Sequence, residues 1–138
     1  MLEEIFAPQS VAVIGASPDP TRLGHRVLAN VVENGYKGRI YPIHPTAADV
    51  LGHKAYPSVL DVPDDIEMAV VVIPPQHVLP VIEQCGQKGV RGLVIITAGF
   101  KEVGGQGREL ERQLMEIVRR YKMRMVGPNC LGIIDTVS

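Results

Sequence analysis

The residues best placed to do chemistry begin at Gly15. Val11-Ala12-Val13-Ile14 is an apolar run, mostly β-branched, that feeds straight into Gly15-Ala16-Ser17. A strand that ends in a small-residue turn, with a helical pattern starting near Gly24, leaves backbone N–H groups and a helix N-terminus free. Together these attract phosphate. The turn departs from the dinucleotide fingerprint G-x-G-x-x-G, because Ser17 holds its third position and the next glycine is Gly24. The end of the second predicted strand reads Ile43-His44-Pro45, where an NAD-dependent oxidoreductase domain would carry Asp or Glu to grip a ribose diol. A neutral or cationic residue there suits a phosphate-bearing ribose better. Arg22, His25 and Arg26 are the bases nearest the turn in sequence. The structural alternative for Gly15 is that it only permits tight strand-to-helix packing.

Three further segments follow predicted strands: Ile73-Pro74-Pro75, Thr97-Ala98-Gly99 and Gly127-Pro128-Asn129. A parallel sheet would bring them to the same edge as the Gly15 turn, and open α/β sheets bind ligands outside the carboxyl ends of their strands. Read blandly, they are ordinary loop punctuation. His25, His44, His53 and His77 show no metal-ligand spacing, and Cys85 and Cys130 form no Cys-x-x-Cys pair, so no metal site is expected. No base stands near Cys130 in sequence, which favours packing over nucleophilic chemistry. Without a Gly-x-Ser-x-Gly or Walker sequence, Ser17 reads as a phosphate-loop hydroxyl, and no catalytic residue is assigned.

The elements that must position these residues are legible from periodicity. Leu2–Phe6 reads as a short helix, and Ser10–Ile14 as a strand apolar on both faces and therefore central. Leu23–Asn34 reads as a helix with Val27, Leu28, Val31 and Val32 on one stripe, stopped by Gly35. A second strand runs from Gly38 to Pro45, with Pro42 marking a bend or irregular ladder. Lys54-Ala55-Tyr56 is a short edge strand, and Ser58-Val59-Leu60 begins one helical turn. A strand over Ile66–Ile73 is followed by a helix over Gln76–Gln87, with Val78, Leu79, Ile82 and Cys85 inward. Gly92–Thr97 is a buried strand, and Gly104–Gly107 is expected to be flexible. Arg108–Lys122 is a helix with acids early and Arg119, Arg120 and Lys122 late, matching the helix dipole. Arg124-Met125-Val126 is a short strand, and Ile133-Ile134 starts another. Alternating strands and helices predict a parallel sheet with right-handed crossovers.

Composition narrows the function classes. The 138 residues fit one domain, and 46% hydrophobic residues suffice for a globular core. Lys+Arg 14 against Asp+Glu 15 argues against a wide nucleic-acid face or a polybasic membrane patch. No apolar run approaches the roughly 20 residues of a membrane span. The acidic Met1-Leu2-Glu3-Glu4 lacks a signal-peptide core, so the cytoplasm is the expected location and a disulfide is not expected. With no tryptophan and two phenylalanines, an aromatic platform for single-stranded nucleic acid is not expected either.

Five motifs in order carry a family resemblance. Val11–Ser17, Tyr41–Pro45, Leu51–Val59, Ala98–Glu102 and Gly127–Gly132 together resemble the N-terminal CoA-binding domain of NDP-forming (ADP-forming) acyl-CoA synthetases. The α-subunit of succinyl-CoA synthetase is similar but more distant. The resemblance implies a Rossmann-like domain that holds coenzyme A. Gly15, Ala16, Ser17 and Arg22 would line its phosphates. His44 and Pro45 would lie by the adenosine, Ile73 and Pro74 beneath it, and Thr97, Ala98 and Gly99 along the pantetheine arm. The family often has Asn-Pro-Lys where this chain has His44-Pro45-Thr46. The family's phosphohistidine belongs to the next domain, so the Gly127–Gly132 turn would lie near where that residue acts.

Pattern and resemblance together predict a three-layer α/β, Rossmann-like, doubly wound and mostly parallel sheet over residues 1–138, with the glycine-turn strand central. The expected role is the CoA-binding module of a longer acyl-CoA synthetase, not catalytic alone. The implied partners are CoA and further synthetase domains or a subunit, carrying the phosphohistidine and an ATP-grasp fold, with no nucleic acid or membrane. The alternatives are a stand-alone CoA-binding protein, the regulatory region of a protein acetyltransferase, and an NAD-binding oxidoreductase domain.

Overall fold

The computed structural model describes residues 9–96 and 105–126. Its five-stranded sheet is built from β1 (Ser10–Ile14), β2 (Arg39–Ile43), β5 (Met68–Val71), β6 (Gly92–Ile95) and β7 (Arg124–Val126), and a separate hairpin from β3 (Asp49–Val50) and β4 (His53–Lys54). The sheet order is β2-β1-β5-β6-β7, and every neighbouring pair in it is parallel. The strand carrying the glycine turn is therefore interior, but β5 is the middle one. An apolar strand reports that its faces are covered and its edges paired; it does not report its rank in the sheet.

Successive strand side chains point to opposite faces, and two cores result. Ala12, Ile14, Ala69, Val71, Leu93 and Ile95 pack on one side. Val11, Val13, Met68, Val70 and Val94 pack on the other. The first core is covered by α2 (Val78–Lys88) and α3 (Gly105–Arg120), through Val78, Ile82, Cys85, Leu114, Ile117 and Val118. The second is covered by α1 (Leu23–Glu33), through Val27 and Leu28. This is the predicted three-layer arrangement.

Pro42 lies within edge strand β2, paired with Val13. Its carbonyl accepts the Tyr56 N–H at 3.0 Å, so its ring nitrogen faces the sheet's outer side and removes no bond to β1. Tyr56, expected in an edge strand, makes only an isolated bridge to Ile43. The hairpin β3–β4 precedes it, turning through Leu51 and Gly52 at φ 51 and 81. Pro80 is the third residue of α2, and Gly89 ends that helix at φ 91. Helix α3 starts at Gly105, before the predicted Arg108. First-turn N–H groups have no intrahelical partner, so glycine costs little there. The earlier start leaves no acid in the first turn. Arg112 pairs with both Glu109 and Glu116 on the exposed, solvated side of α3. Arg120 reaches Glu83 of α2 at 2.9 Å. Among the described residues no helix is long and apolar enough to cross a membrane. The expected helix over Leu2–Phe6 and strand at Ile133-Ile134 lie outside the described residues.

Candidate functional site

A cleft of about 610 Å³ opens at the carboxyl ends of β1, β2 and β5. That size is within the roughly 300–1,000 Å³ typical of small-molecule pockets. In the strand order, the chain runs from β1 to β2 on one side and returns to β5 on the other. The cleft therefore sits at the point where the winding direction reverses, the usual ligand position in open α/β sheets.

One wall is the glycine turn. The Gly15 N–H donates to the Ile43 carbonyl at 3.2 Å, tying the end of β1 to β2. Gly15 has φ +99, and a Cβ on it would stand 1.9 Å from the Val72 carbonyl oxygen. Ala16 is buried. The Ser17 hydroxyl accepts the Asp19 N–H, and its carbonyl meets His25 Nδ1 at 2.8 Å. His25 thus fastens the loop and is not itself in the cleft wall. Asp19 accepts the Thr21 N–H and hydroxyl. Those bonds, the backbone one first, hold its carboxyl below the usual 3.8.

Arg22 is the N-cap of α1, in extended conformation and with no side-chain capping bond. The N–H groups at the start of α1 consequently have no acceptor from the cap side chain. Arg22, Leu23 and Gly24 face the cleft. Among the described residues, Arg22 is the only charged one in its wall, and no carboxylate lines it. Arg26, the other base near the turn, is exposed and outside the wall.

His44 enters from the end of β2. Its N–H donates to the Tyr56 carbonyl at 2.9 Å. Its Nδ1 accepts the Thr46 and Ala47 N–H groups at 3.1 and 2.9 Å. With Nδ1 accepting, the neutral ring carries its proton on Nε2, so His44 offers a donor without a charge. Pro45, Ile73 and Pro74 complete this part of the wall.

The structure thus gathers Gly15, Ala16, Ser17, Arg22, His44, Pro45, Ile73 and Pro74 around one cleft. Thr97, Ala98 and Gly99 lie outside the described residues, as do Cys130 and the Gly127–Gly132 turn. Ile96, immediately before Thr97, does reach the wall. Burial pushes the Cys85 thiol up to about 12, which leaves it inert. Among the described residues no three His, Cys, Asp or Glu side chains gather as metal ligands.

Sequence reasoning missed Ser58, Val81 and Gln84, which also line the cleft. Val81 and Gln84 are three residues apart, hence neighbours on one helix face. That face flanks the buried stripe of Val78, Ile82 and Cys85, which was the available signal.

A family model for a CoA binding domain matches residues 9–136. The chain is 45% identical, over 139 residues, to the α subunit of an ADP-forming acetate–CoA ligase I of Pyrococcus furiosus. That match covers 98% of this chain and 30% of the relative. It is 50% identical, over 134 residues, to a 4-hydroxybutyrate–CoA ligase (ADP-forming) of Nitrosopumilus maritimus, covering 97% of this chain and 19% of the relative. Among solved structures it is similar to the dinucleotide-forming acetyl-coenzyme A synthetase 1 of Ca. Korarchaeum cryptofilum in complex with phosphate and ADP. The TM-score is 0.89 at 48% identity, over 94% of this chain and 27% of that one. The chain therefore spans between 19% and 30% of the length of the curated relatives it matches.

Proposed function

This chain belongs to the CoA-binding domain family, and on that premise we propose that it is the CoA-holding module of an ADP-forming acyl-CoA synthetase. The observation that carries the reading is the open N-terminus of α1 set against the Gly15 turn, with Arg22 beside it and no carboxylate among the described residues of the cleft wall. Backbone N–H groups, the positive end of a helix and one guanidinium form a site for anionic phosphates. His44 at the end of β2, where a diol-gripping acid would stand, favours CoA over NAD.

Gly15, Ala16, Ser17 and Arg22 are proposed to hold the phosphates of CoA, and His44, Pro45, Ile73 and Pro74 its adenosine. Thr97, Ala98 and Gly99 are proposed along the pantetheine arm. In the complete enzyme the bound thiol attacks an acyl phosphate, forming the thioester and releasing phosphate. Phosphoryl transfer needs cationic and metal-holding groups around the nucleotide, which this module draws from further domains or a subunit with a phosphohistidine and an ATP-grasp fold. Residues 1–138 are proposed to act as one domain of that assembly, in the cytoplasm. The identity with ADP-forming acyl-CoA ligases over nearly the whole chain supports this reading above a stand-alone binder.

The test is to supply the purified chain with acetate, CoA and ATP. It is expected to retain CoA in equilibrium dialysis and to form no acetyl-CoA. Turnover by a homogeneous sample would overturn the module reading.

A further inference from the structure

Ser58 and Gln84 form a polar pair in the cleft that phosphate binding does not use. They are 26 residues apart in sequence, on different elements, and the Ser58 hydroxyl donates to Gln84 Oε1 at 2.9 Å. The same hydroxyl oxygen accepts the Leu60 N–H at 3.1 Å, capping the short 3-10 turn Val59–Asp61. Ser58 is thus fixed from one side by the turn and in turn fixes the Gln84 amide. Gln84 keeps its two N–H donors and a second carbonyl lone pair for another partner.

The surroundings narrow what that partner is. Pro57, Val59, Val81, Ile73 and Pro74 make this part of the cleft wall apolar. Among the described lining residues the one charged side chain is Arg22, at the N-cap of α1 beside the glycine turn. An apolar slot with a single oriented amide and no charge does not suit a phosphate. It does suit a flat heterocycle, whose faces take apolar contact and whose edge needs directed hydrogen bonds. A glutamine amide pairs with adenine by accepting from N6–H and donating to a ring nitrogen. Hypoxanthine puts an acceptor oxygen where adenine has the N6 donor, so it would face the Gln84 carbonyl unfavourably.

Resting on the CoA reading above, we propose that Gln84, held by Ser58, hydrogen-bonds the edge of the adenine base and makes the cleft selective for adenine over hypoxanthine. Ser58 is a positioning residue in this scheme, since it acts through the Gln84 amide.

Calorimetric titration separates the possibilities. The ligands are CoA, adenosine 3′,5′-bisphosphate, inosine 3′,5′-bisphosphate and 4′-phosphopantetheine, and the proteins are wild type, Gln84→Leu and Ser58→Ala. Gln84→Leu is expected to weaken CoA and adenosine 3′,5′-bisphosphate by the same factor, about tenfold, and to leave 4′-phosphopantetheine as it was. Ser58→Ala is expected to lower the preference for the adenosine over the inosine compound, a change that mere loss of stability would not produce. Circular dichroism checks that each variant is folded; should Gln84→Leu fail, Gln84→Met takes its place. If Gln84→Leu weakens 4′-phosphopantetheine and spares the bisphosphate, Gln84 lies along the arm and the base assignment is wrong. If the folded variant binds every ligand as wild type does, the assignment is equally wrong. Failure of wild type to bind CoA would instead overturn the CoA reading itself.

Discussion

Gly24 packs so closely on the glycine turn that a Cβ on it would stand 1.8 Å from the Gly15 carbonyl oxygen. Gly15 is itself confined, at φ +99 and against the Val72 carbonyl. These two contacts seat the N-terminus of α1 on the end of β1, which gives the cleft its phosphate-facing wall. Gly24→Ala therefore has to displace backbone. It is expected to cost at least about 2 kcal/mol of stability, at the upper side of typical overpacking penalties, and to weaken CoA binding as the wall shifts. Urea unfolding and a CoA titration check both, and an unchanged unfolding midpoint would contradict the packing. Gly15→Val would put a branched side chain where the backbone must approach phosphate. The structure makes it a test of folding first, because the packing role and the phosphate role reside in the same glycine.

His44→Ala leaves the Thr46 and Ala47 N–H groups without their acceptor. It is expected to lower stability by about 1–2 kcal/mol, the scale of a lost cap or buried hydrogen bond. His44→Asn keeps an acceptor near the Nδ1 position and is expected to recover most of that loss. It does not reproduce the Nε2 donor, so CoA affinity should stay reduced. Melting curves and Kd values for the two variants separate capping from ligand contact; recovery of both by asparagine would confine His44 to capping.

Arg22→Ala is expected to leave the melting temperature alone, since the side chain makes no capping bond. CoA affinity should fall by about 1–3 kcal/mol if the guanidinium makes a charge-assisted bond to a phosphate. If that phosphate is the 3′ one, the gap between CoA and dephospho-CoA should close in the variant. Salt should weaken wild-type binding moderately, because screening acts over about 8–10 Å and acts less on partly buried contacts. Titrations at two salt concentrations check this. Unchanged affinities and salt dependence would strike Arg22 from the site.

Much of this architecture is legible in the sequence because it rests on local signals. Strand β1, the Gly15 turn, α1 with its Gly35 stop and the Gly89 end of α2 all follow from periodicity and glycine placement. Tertiary features were not legible. The rank of β1 beside the middle strand depends on crossovers that apolar content does not encode. The hairpin through Leu51-Gly52 was hidden because leucine is not a residue expected at positive φ. The meeting of Ser58 with Gln84 depends on how α2 rotates against the sheet. His44 was read from its side-chain type at a strand end, whereas the role of its Nδ1 depends on the backbone turn that follows it.

The central claim is that a cleft with a glycine turn, Arg22 and His44, and with no carboxylate among the described residues of its wall, is built for CoA. Calorimetric titration of the same preparation with CoA and with NAD tests it most directly. The account predicts saturable CoA binding at one site per chain, with NAD at least about tenfold weaker, a difference of roughly 1.4 kcal/mol or more. Tight NAD binding without CoA binding would contradict it.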